Sequence, residues 1–286
     1  MKVVILGSQG NLGSQLVQVF LNEEVVGLDN VDVNFLNWEQ LKTKLENENP
    51  ELIINTVAYN AVDQCEVEGA ERELAIQLNV NLPSFLADFC FARKILLIHY
   101  STDYVFSGTS QNTAFAETDS PNPINFYGQS KADGEKIILD YLTQGLKGYL
   151  IRTSKLFGPI GLSAFSKPNF FEIIRSLARS GKIIRSVDEE CSCFTYTPDL
   201  AEATSKLISS SAVYGVYHLV NEGAATWYEG VLELFRLQKI ENDVVPVKSS
   251  DFPRSAKRPI FSILKNTKQP KLRSWQEALA EYLIKN

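Results

Sequence analysis

Tyr127 and Lys131 stand four residues apart in the run Tyr127-Gly128-Gln129-Ser130-Lys131, at the start of a stretch with helical periodicity, so both project from one helix face. A free phenol titrates at about 10, too high for efficient proton transfer at neutral pH. A neighbouring ammonium favours phenolate and lowers that value, so the pair reads as a proton donor with its tuning cation. The spacing alone recurs by chance in helices. Thr102 gives it a context, because Ser101-Thr102-Asp103-Tyr104-Val105-Phe106 directly follows the apolar run Ile95–His99. In doubly wound sheets ligands bind at the carboxyl ends of the strands, where a hydroxyl can hold a carbonyl oxygen beside the phenol. The chemistry that suits this trio is reduction of a carbonyl group, with Tyr127 as its proton donor.

The elements that must position the trio follow from periodicity. Val3–Leu6, Val25–Leu28, Leu52–Asn55, Ile95–His99 and Tyr149–Arg152 read as buried strands. Leu12–Asn22, Trp38–Glu48, Glu71–Ala92 and Lys131–Leu142 carry apolar residues at helical spacing between them. Continuous apolar strands alternating with helices predict a doubly wound α/β (Rossmann-type) parallel sheet, covered on both faces. Beyond Phe157-Gly158-Pro159-Ile160-Gly161, a loop, and a helix over Phe170–Ser180, the segments shorten, Gly215–Val220 among them, and prolines punctuate the tail. We therefore expect a dinucleotide-binding domain with the catalytic residues over 1–154. Residues 155–286 are expected to form mainly a smaller C-terminal substrate lobe, some of whose segments return to the sheet.

Gly7-Ser8-Gln9-Gly10-Asn11-Leu12-Gly13 follows the first strand and opens the first helix. Gly7 suits the tight turn, Gly10 a close backbone approach to a pyrophosphate, and Gly13 close packing of helix on sheet. The free N–H groups of the helix start then meet the phosphates. Gln9, Asn11 and Leu12 complete this candidate cofactor loop. Asp29 closes the second strand, where an acid takes the adenosine ribose hydroxyls, and Asp32 is placed near the adenine. No Arg or Lys lies between Leu28 and Leu41 to receive a 2′-phosphate, so of NADH and NADPH the charge pattern favours NADH.

Bulk properties bound the reading. A net charge of −6 argues against a nucleic-acid partner or an anionic membrane surface. The first apolar run, four residues long, is too short for a signal peptide, and no stretch reads as the roughly 20 apolar residues of a spanning helix. The cytoplasm is the expected location. Cys65 and Cys90 fall in helix-like segments, and Cys191 and Cys193 have no Cys/His pair at zinc spacing, so no metal or disulfide is assigned. His99 and His218 stand alone and read as structural.

At this point the motifs become specific. Besides the glycine loop, the chain carries Ile53-Ile54-Asn55-Thr56-Val57-Ala58-Tyr59-Asn60-Ala61-Val62-Asp63, then Ser101–Phe106 with Gly108, and Pro121-Asn122-Pro123 leading into Tyr127–Lys131. Arg152-Thr153-Ser154, Asn169-Phe170, Thr226-Trp227-Tyr228-Glu229, Arg258-Pro259 and Trp275 follow in order. In these, along nearly its whole length, the chain resembles the extended short-chain dehydrogenase/reductases, and within them the dTDP-4-dehydrorhamnose reductase family. The resemblance implies reduction of the C4 ketone of a nucleoside-diphosphate-linked 6-deoxy sugar, the last step towards dTDP-L-rhamnose. It implies that Lys131 holds the nicotinamide ribose, that Thr102 polarises the carbonyl, that Ala58 and Tyr59 flank the cofactor, and that Asn79 supports the site. On the substrate side it points to Asp103, Tyr104, Lys155, Asn169 and Arg258. Family members include homodimers, some with an interface metal, for which no ligands are legible here.

Tyr104 separates this reading from the related dehydratases, where Asp-Glu follows the catalytic Thr and drives elimination of water. Here the pair is Asp103-Tyr104. The departures from the family cluster downstream. Lys155 replaces a tryptophan after Arg-Thr-Ser, exchanging a stacking ring for a flexible cation. Ser192-Cys193-Phe194-Thr195 replaces a G-S-P-T-like run, and Lys257-Arg258-Pro259-Ile260-Phe261 lacks the family's Asn. Arg254, Lys257 and Arg258 form a basic cluster suited to a diphosphate. Two alternatives stay open: a non-catalytic NAD(P)-binding regulatory subunit, which has no need of Thr102, Tyr127 and Lys131 together, and a nucleotide-sugar epimerase, which would retain its cofactor on purification.

Overall fold

The computed structural model describes residues 1–108 and 113–285. Five strands of the first half, β1 (Lys2–Leu6), β2 (Glu24–Leu28), β3 (Leu52–Asn55), β4 (Leu96–Thr102) and β5 (Gly148–Thr153), alternate with α1 (Asn11–Val19), α2 (Trp38–Glu48), α3 (Ala70–Ile76), α4 (Leu82–Arg93) and α5 (Phe126–Thr143). The second half adds β6 (Leu156–Phe157), α6 (Phe170–Arg179), β7 (Ile184–Val187), β8 (Thr195–Tyr196), α7 (Thr197–Ser209), β9 (Gly215–His218), α8 (Trp227–Gln238), β10 (Val244–Val247) and α9 (Trp275–Lys285).

The central sheet is parallel throughout, in the order β2-β1-β3-β4-β5-β9. Alternation decides which side chain meets which layer. Val4, Leu6, Ile53, Leu97 and Leu150 pack under α2, α4 and α5. Val3, Ile5, Leu52, Ile54, Ile98, Tyr149 and Ile151 pack against α1 and α7. With both faces covered, the strands are apolar at nearly every position, as a doubly wound sheet requires. The strand order reverses at β1, which has β2 on one side and β3 on the other, so the crevice lies above the loops that leave β1 and β3. Both α7 and β9 belong to this body although they come from the second half. The other late elements pack around Phe157, Phe171, Phe194, Tyr196, Trp275 and Tyr282, with the short parallel pairs β7–β10 and β6–β8.

The expected helix Glu71–Ala92 is in fact three pieces, α3, a π-turn over Gln77–Asn81, and α4. Pro83 in the first turn of α4 has no N–H to give the carbonyl four residues back, that of Asn79. Gly134 of α5 uses the space: a Cβ there would lie 2.1 Å from the Asn79 carbonyl oxygen. Ala70–Arg93 as a whole is long and apolar enough to cross a membrane, contrary to the reading of the sequence; here Leu82, Leu86, Ala87 and Cys90 pack into the core beneath the sheet. Helix α5 begins at Phe126, five residues earlier than Lys131, because the Asn125 side chain caps it by accepting the Gly128 N–H at 2.7 Å.

Candidate active site

Thr102 ends β4, and its hydroxyl caps the turn that follows by accepting the Tyr104 N–H at 3.2 Å. The start of α5 is pressed onto that turn: a Cβ on Gly128 would lie 2.2 Å from the Tyr104 carbonyl oxygen, so only glycine fits beside Tyr127. This contact brings Tyr127 up to Thr102. The Tyr127 phenol lies beside the Thr102 hydroxyl, and its ring meets that of Tyr104 edge-on at 5.9 Å. Burial pushes the Tyr127 phenol well above its usual value, the Thr102 hydroxyl opposes this, and the nearby Asp103 charge adds to it. Tyr127 therefore holds its proton at neutral pH, the state a donor needs.

Lys131 occupies a different position from the one its spacing suggests. Its Nζ donates to the Tyr100 carbonyl at 2.7 Å, beneath β4, and burial brings it down to about 8 while Glu135 opposes. The groups that set the Tyr127 proton affinity are burial, Thr102, Asp103 and Cys65. The expected lowering of the phenol by Lys131 is not found, because the ammonium is turned to the main chain. Asn79, fully buried, ties the pieces: Nδ2 donates to Ser130 Oγ at 2.9 Å and to the Tyr59 carbonyl at 3.0 Å, and Oδ1 accepts the Tyr59 N–H at 2.9 Å. It thereby fixes the loop after β3, with Ala58 and Tyr59, to the residue preceding Lys131. The Tyr59 hydroxyl bonds to Glu71, and burial followed by that carboxylate raises it to about 12.

The glycine loop has the shape of a phosphate cradle. Gly7 has φ +77°, its N–H reaches the Leu28 carbonyl at 2.8 Å, and a Cβ on Gly13 would lie 2.0 Å from the Gly7 carbonyl oxygen. Among the described residues no side chain caps the start of α1, whose first N–H groups are thus available to an anion. These residues fit a dinucleotide. Gly10 stands at that helix start. Asp29 Oδ2 accepts the Gln9 N–H at 3.1 Å, and Asp32 accepts the Asp29 N–H at 2.9 Å, so both acids brace the crevice. The Leu12 side chain points into the core, leaving its backbone as the part that can serve a ligand. The Asn11 side chain accepts the Gly161 N–H at 2.9 Å and donates to the Lys167 carbonyl at 3.1 Å, while the Gln9 carbonyl accepts the Ser163 N–H at 2.9 Å. A strap from the second half thus lies across the loop.

The residues expected on the substrate side each have partners within the protein. Asp103 is 2% exposed; it accepts from Ser262 Oγ at 2.5 Å and from Thr102 at 3.1 Å, so it positions Thr102 from behind. Burial raises its carboxyl above the usual range. Asn169 caps α6: Oδ1 accepts the Phe171 N–H at 3.0 Å, and Nδ2 donates to the Gly158 carbonyl and the Tyr282 hydroxyl, both at 2.9 Å. Its polar atoms are taken up by the protein. Lys155 is pinned, not flexible. Its Nζ donates to the carbonyls of Glu190 and Ala225 at 3.0 and 2.9 Å and sits over the rings of Trp227 at 4.3 Å and Phe194 at 4.9 Å. Arg258 pairs with Asp63 through both nitrogens, at 2.6 and 3.2 Å, and Arg254 pairs with Glu190. Tyr104 lies within the field of both arginines and of Glu190, so the mouth of the site in front of the two tyrosines is lined by paired charges.

Sequence reasoning passed over Asp63, Glu190 and Asn125 as functional residues. Asp63 ends a quoted motif and Asn125 stands three before Gly128 in capping position, so each had a signal; Glu190 had none. The buried pair Arg152–Glu135, at 2.8 Å under β5 and α5, was likewise unread.

Comparison with known proteins agrees with this geometry. The family model described as RmlD substrate binding domain matches residues 1–286. The dTDP-4-dehydrorhamnose reductase of Aggregatibacter actinomycetemcomitans is 31% identical over 299 residues, covering 97% of this chain and 97% of that protein. The dTDP-4-keto-6-deoxy-D-glucose reductase of Streptomyces niveus is 32% identical over 278 residues, covering 96% and 90%. The solved dTDP-4-dehydrorhamnose reductase of Bacillus anthracis, in complex with NADP, matches with a TM-score of 0.90 at 31% identity, covering 100% of this chain and 99% of that one. With a glycine loop at the switch point, Thr102 at the end of β4 and Tyr127 and Lys131 on α5 beside it, the chain belongs to this family, that of the dTDP-4-dehydrorhamnose reductases, and is an NAD(P)-dependent oxidoreductase.

Proposed function

We propose that this chain reduces the C4 ketone of dTDP-4-dehydrorhamnose, giving dTDP-L-rhamnose. The observation that carries the reading is the placement of Tyr127, at the start of α5, against Thr102 at the carboxyl end of β4. A nicotinamide bound at the glycine loop would supply the hydride for the sugar C4. Thr102 donates to the carbonyl oxygen, and Tyr127 passes its proton to the alkoxide as charge develops there. Lys131 holds the nicotinamide ribose from beneath β4, and Asn79 keeps α5 and the β3 loop in register. Gly7–Gly13 receive the pyrophosphate. Arg258, released from Asp63, meets the substrate diphosphate, with Tyr104 and Lys155 at the sugar. On this reading residues 1–154 bind cofactor and carry catalysis, and 155–286 supply mainly the substrate lobe.

Asp29 and Asp32 support NADH as the preferred cofactor, since a 2′-phosphate would face two carboxylates and no base between Leu28 and Leu41. The test is oxidation of NADH and NADPH with dTDP-4-keto-6-deoxy-L-mannose, run beside dTDP-4-keto-6-deoxy-D-glucose, with Tyr127→Phe as control. Expected are turnover of the L-mannose compound, the lower KM for NADH, and a loss of about 10²–10⁴-fold in Tyr127→Phe. Oxidation of neither cofactor overturns the function; turnover only of the D-glucose compound overturns the sugar.

A further inference from the structure

Beneath Lys131 runs a chain of hydrogen bonds that the proposed reaction does not use. The Val57 N–H, in the loop after β3, donates to Asn55 Oδ1 at 3.0 Å. An N–H can only donate, so the amide oxygen of Asn55 must face it and the amide nitrogen must face away. That nitrogen lies 3.0 Å from His99 Nδ1. Nδ1 is therefore the acceptor, and the neutral ring carries its proton on Nε2. Nε2 in turn lies 3.5 Å from Lys131 Nζ. An ammonium also only donates, so two donors confront each other between fully buried groups. The conflict ends when Nζ releases a proton and turns its lone pair to the imidazole N–H.

We propose that His99 is a positioning residue: held as the Nε2–H tautomer by Val57 through Asn55, it lowers the proton affinity of Lys131 so that the lysine exchanges its proton near neutral pH. The other groups around Nζ do not produce this effect. Glu135, one turn further along α5, favours the ammonium but is paired by Arg152. Tyr127, one turn earlier, is neutral, and the Tyr100 carbonyl accepts from Nζ in either state. Burial is the main cause that brings Lys131 down, and the His99 N–H facing Nζ adds to it. The effect on turnover rests on the proposed role of Lys131; the tautomer does not.

His218 gives an internal contrast. Its Nδ1 lies 3.2 Å from the Lys265 carbonyl, which only accepts, and its Nε2 lies 3.4 Å from Arg152 Nη1, which only donates. That ring must be Nδ1–H. The chain has two histidines, so ¹⁵N-histidine labelling of the full protein gives two ring patterns. At neutral pH one Nε2–H ring and one Nδ1–H ring are expected. Asn55→Asp offers His99 an acceptor, which should convert its ring to Nδ1–H and move the alkaline limb of kcat/KM upward by about one unit. Two Nδ1–H rings in the wild type, or a charged His99, overturn the proposal, as does an alkaline limb that stays in place in a folded Asn55→Asp. If that variant does not fold, the wild-type spectrum alone decides. The spectrum needs no turnover, so the expected tautomers with an inactive enzyme would sink the sugar reduction and leave this inference standing.

Discussion

Lys131 is buried and Lys155 half-buried, and desolvation brings both ammonium groups down to about 8, yet the molecule holds them in different ways. Lys131 reaches a main-chain carbonyl of β4, whose place is dictated by the parallel register from β1 to β5. Lys155 sits at a positive φ of 34° between two carbonyls of the lobe and two aromatic faces, none of them part of the central sheet. Sheet register is set by backbone hydrogen bonds and tolerates little variation. A pocket built from Glu190, Ala225, Phe194 and Trp227 is set by side-chain packing and can be re-formed by a few substitutions. On the proposed function, the chemistry is anchored in the rigid half, and the fit to the sugar in the adaptable one.

The largest expected effect tests that division directly. Lys131→Met should lower kcat by about a hundredfold or more, with the Michaelis constant for the sugar changed less. Lys155→Met should do the reverse, raising the sugar KM while kcat stays within about tenfold. Steady-state kinetics on both variants checks it. A larger kcat loss in Lys155→Met than in Lys131→Met would break the comparison and move chemistry into the lobe.

How much of this was legible in the sequence follows the same line. The strands of the central sheet and the gathering of Thr102 with Tyr127 were readable, because buried parallel strands are apolar at nearly every position and strand ends gather ligands. Lys131 was found, but its direction was not, since spacing on a helix fixes a face and not a hydrogen-bond partner. Asn169 and Thr226 were read as motif residues. The structure shows both as helix caps, Thr226 in a reciprocal box with Glu229. A cap and a ligand contact look alike in a sequence, because both call for a short polar side chain beside a helix start. Arg258 could be recognised as cationic, while its partner Asp63 is 195 residues away. The Arg254–Glu190 pair was hidden for the same reason, separated by 64 residues.

A second, smaller effect separates the pinned Lys155 from an ordinary surface lysine. Its folded value of about 8 lies below the ordinary 10.5, so between those pH values the unfolded chain binds more protons at this position. Wild-type stability should therefore rise relative to Lys155→Met as pH increases from 8 towards 10.5, and the difference should be flat below 8. Taking the difference cancels the tyrosines and cysteines common to both proteins. Urea unfolding at four or five pH values across that window reads the slope. A flat difference throughout would mean that Lys155 is solvated and free.

The smallest effect concerns Asn169, where a cap and a substrate contact predict different losses. As a cap, Asn169 holds the first turn of α6 and links Gly158 to Tyr282. Its replacement by Ala should cost about 1 kcal/mol of stability, up to about 2 because the site is buried. The substrate KM should move little, since no polar atom of Asn169 is left over for a ligand. Asn169→Asp sharpens the distinction: it keeps the acceptor for Phe171 N–H but loses the donor to the Gly158 carbonyl, so stability should fall again while KM stays near wild type. A tenfold rise in sugar KM with unchanged stability in either variant would return Asn169 to the substrate pocket. It would also show that the lobe opens further around its ligand than the packing of α6 against Tyr282 allows.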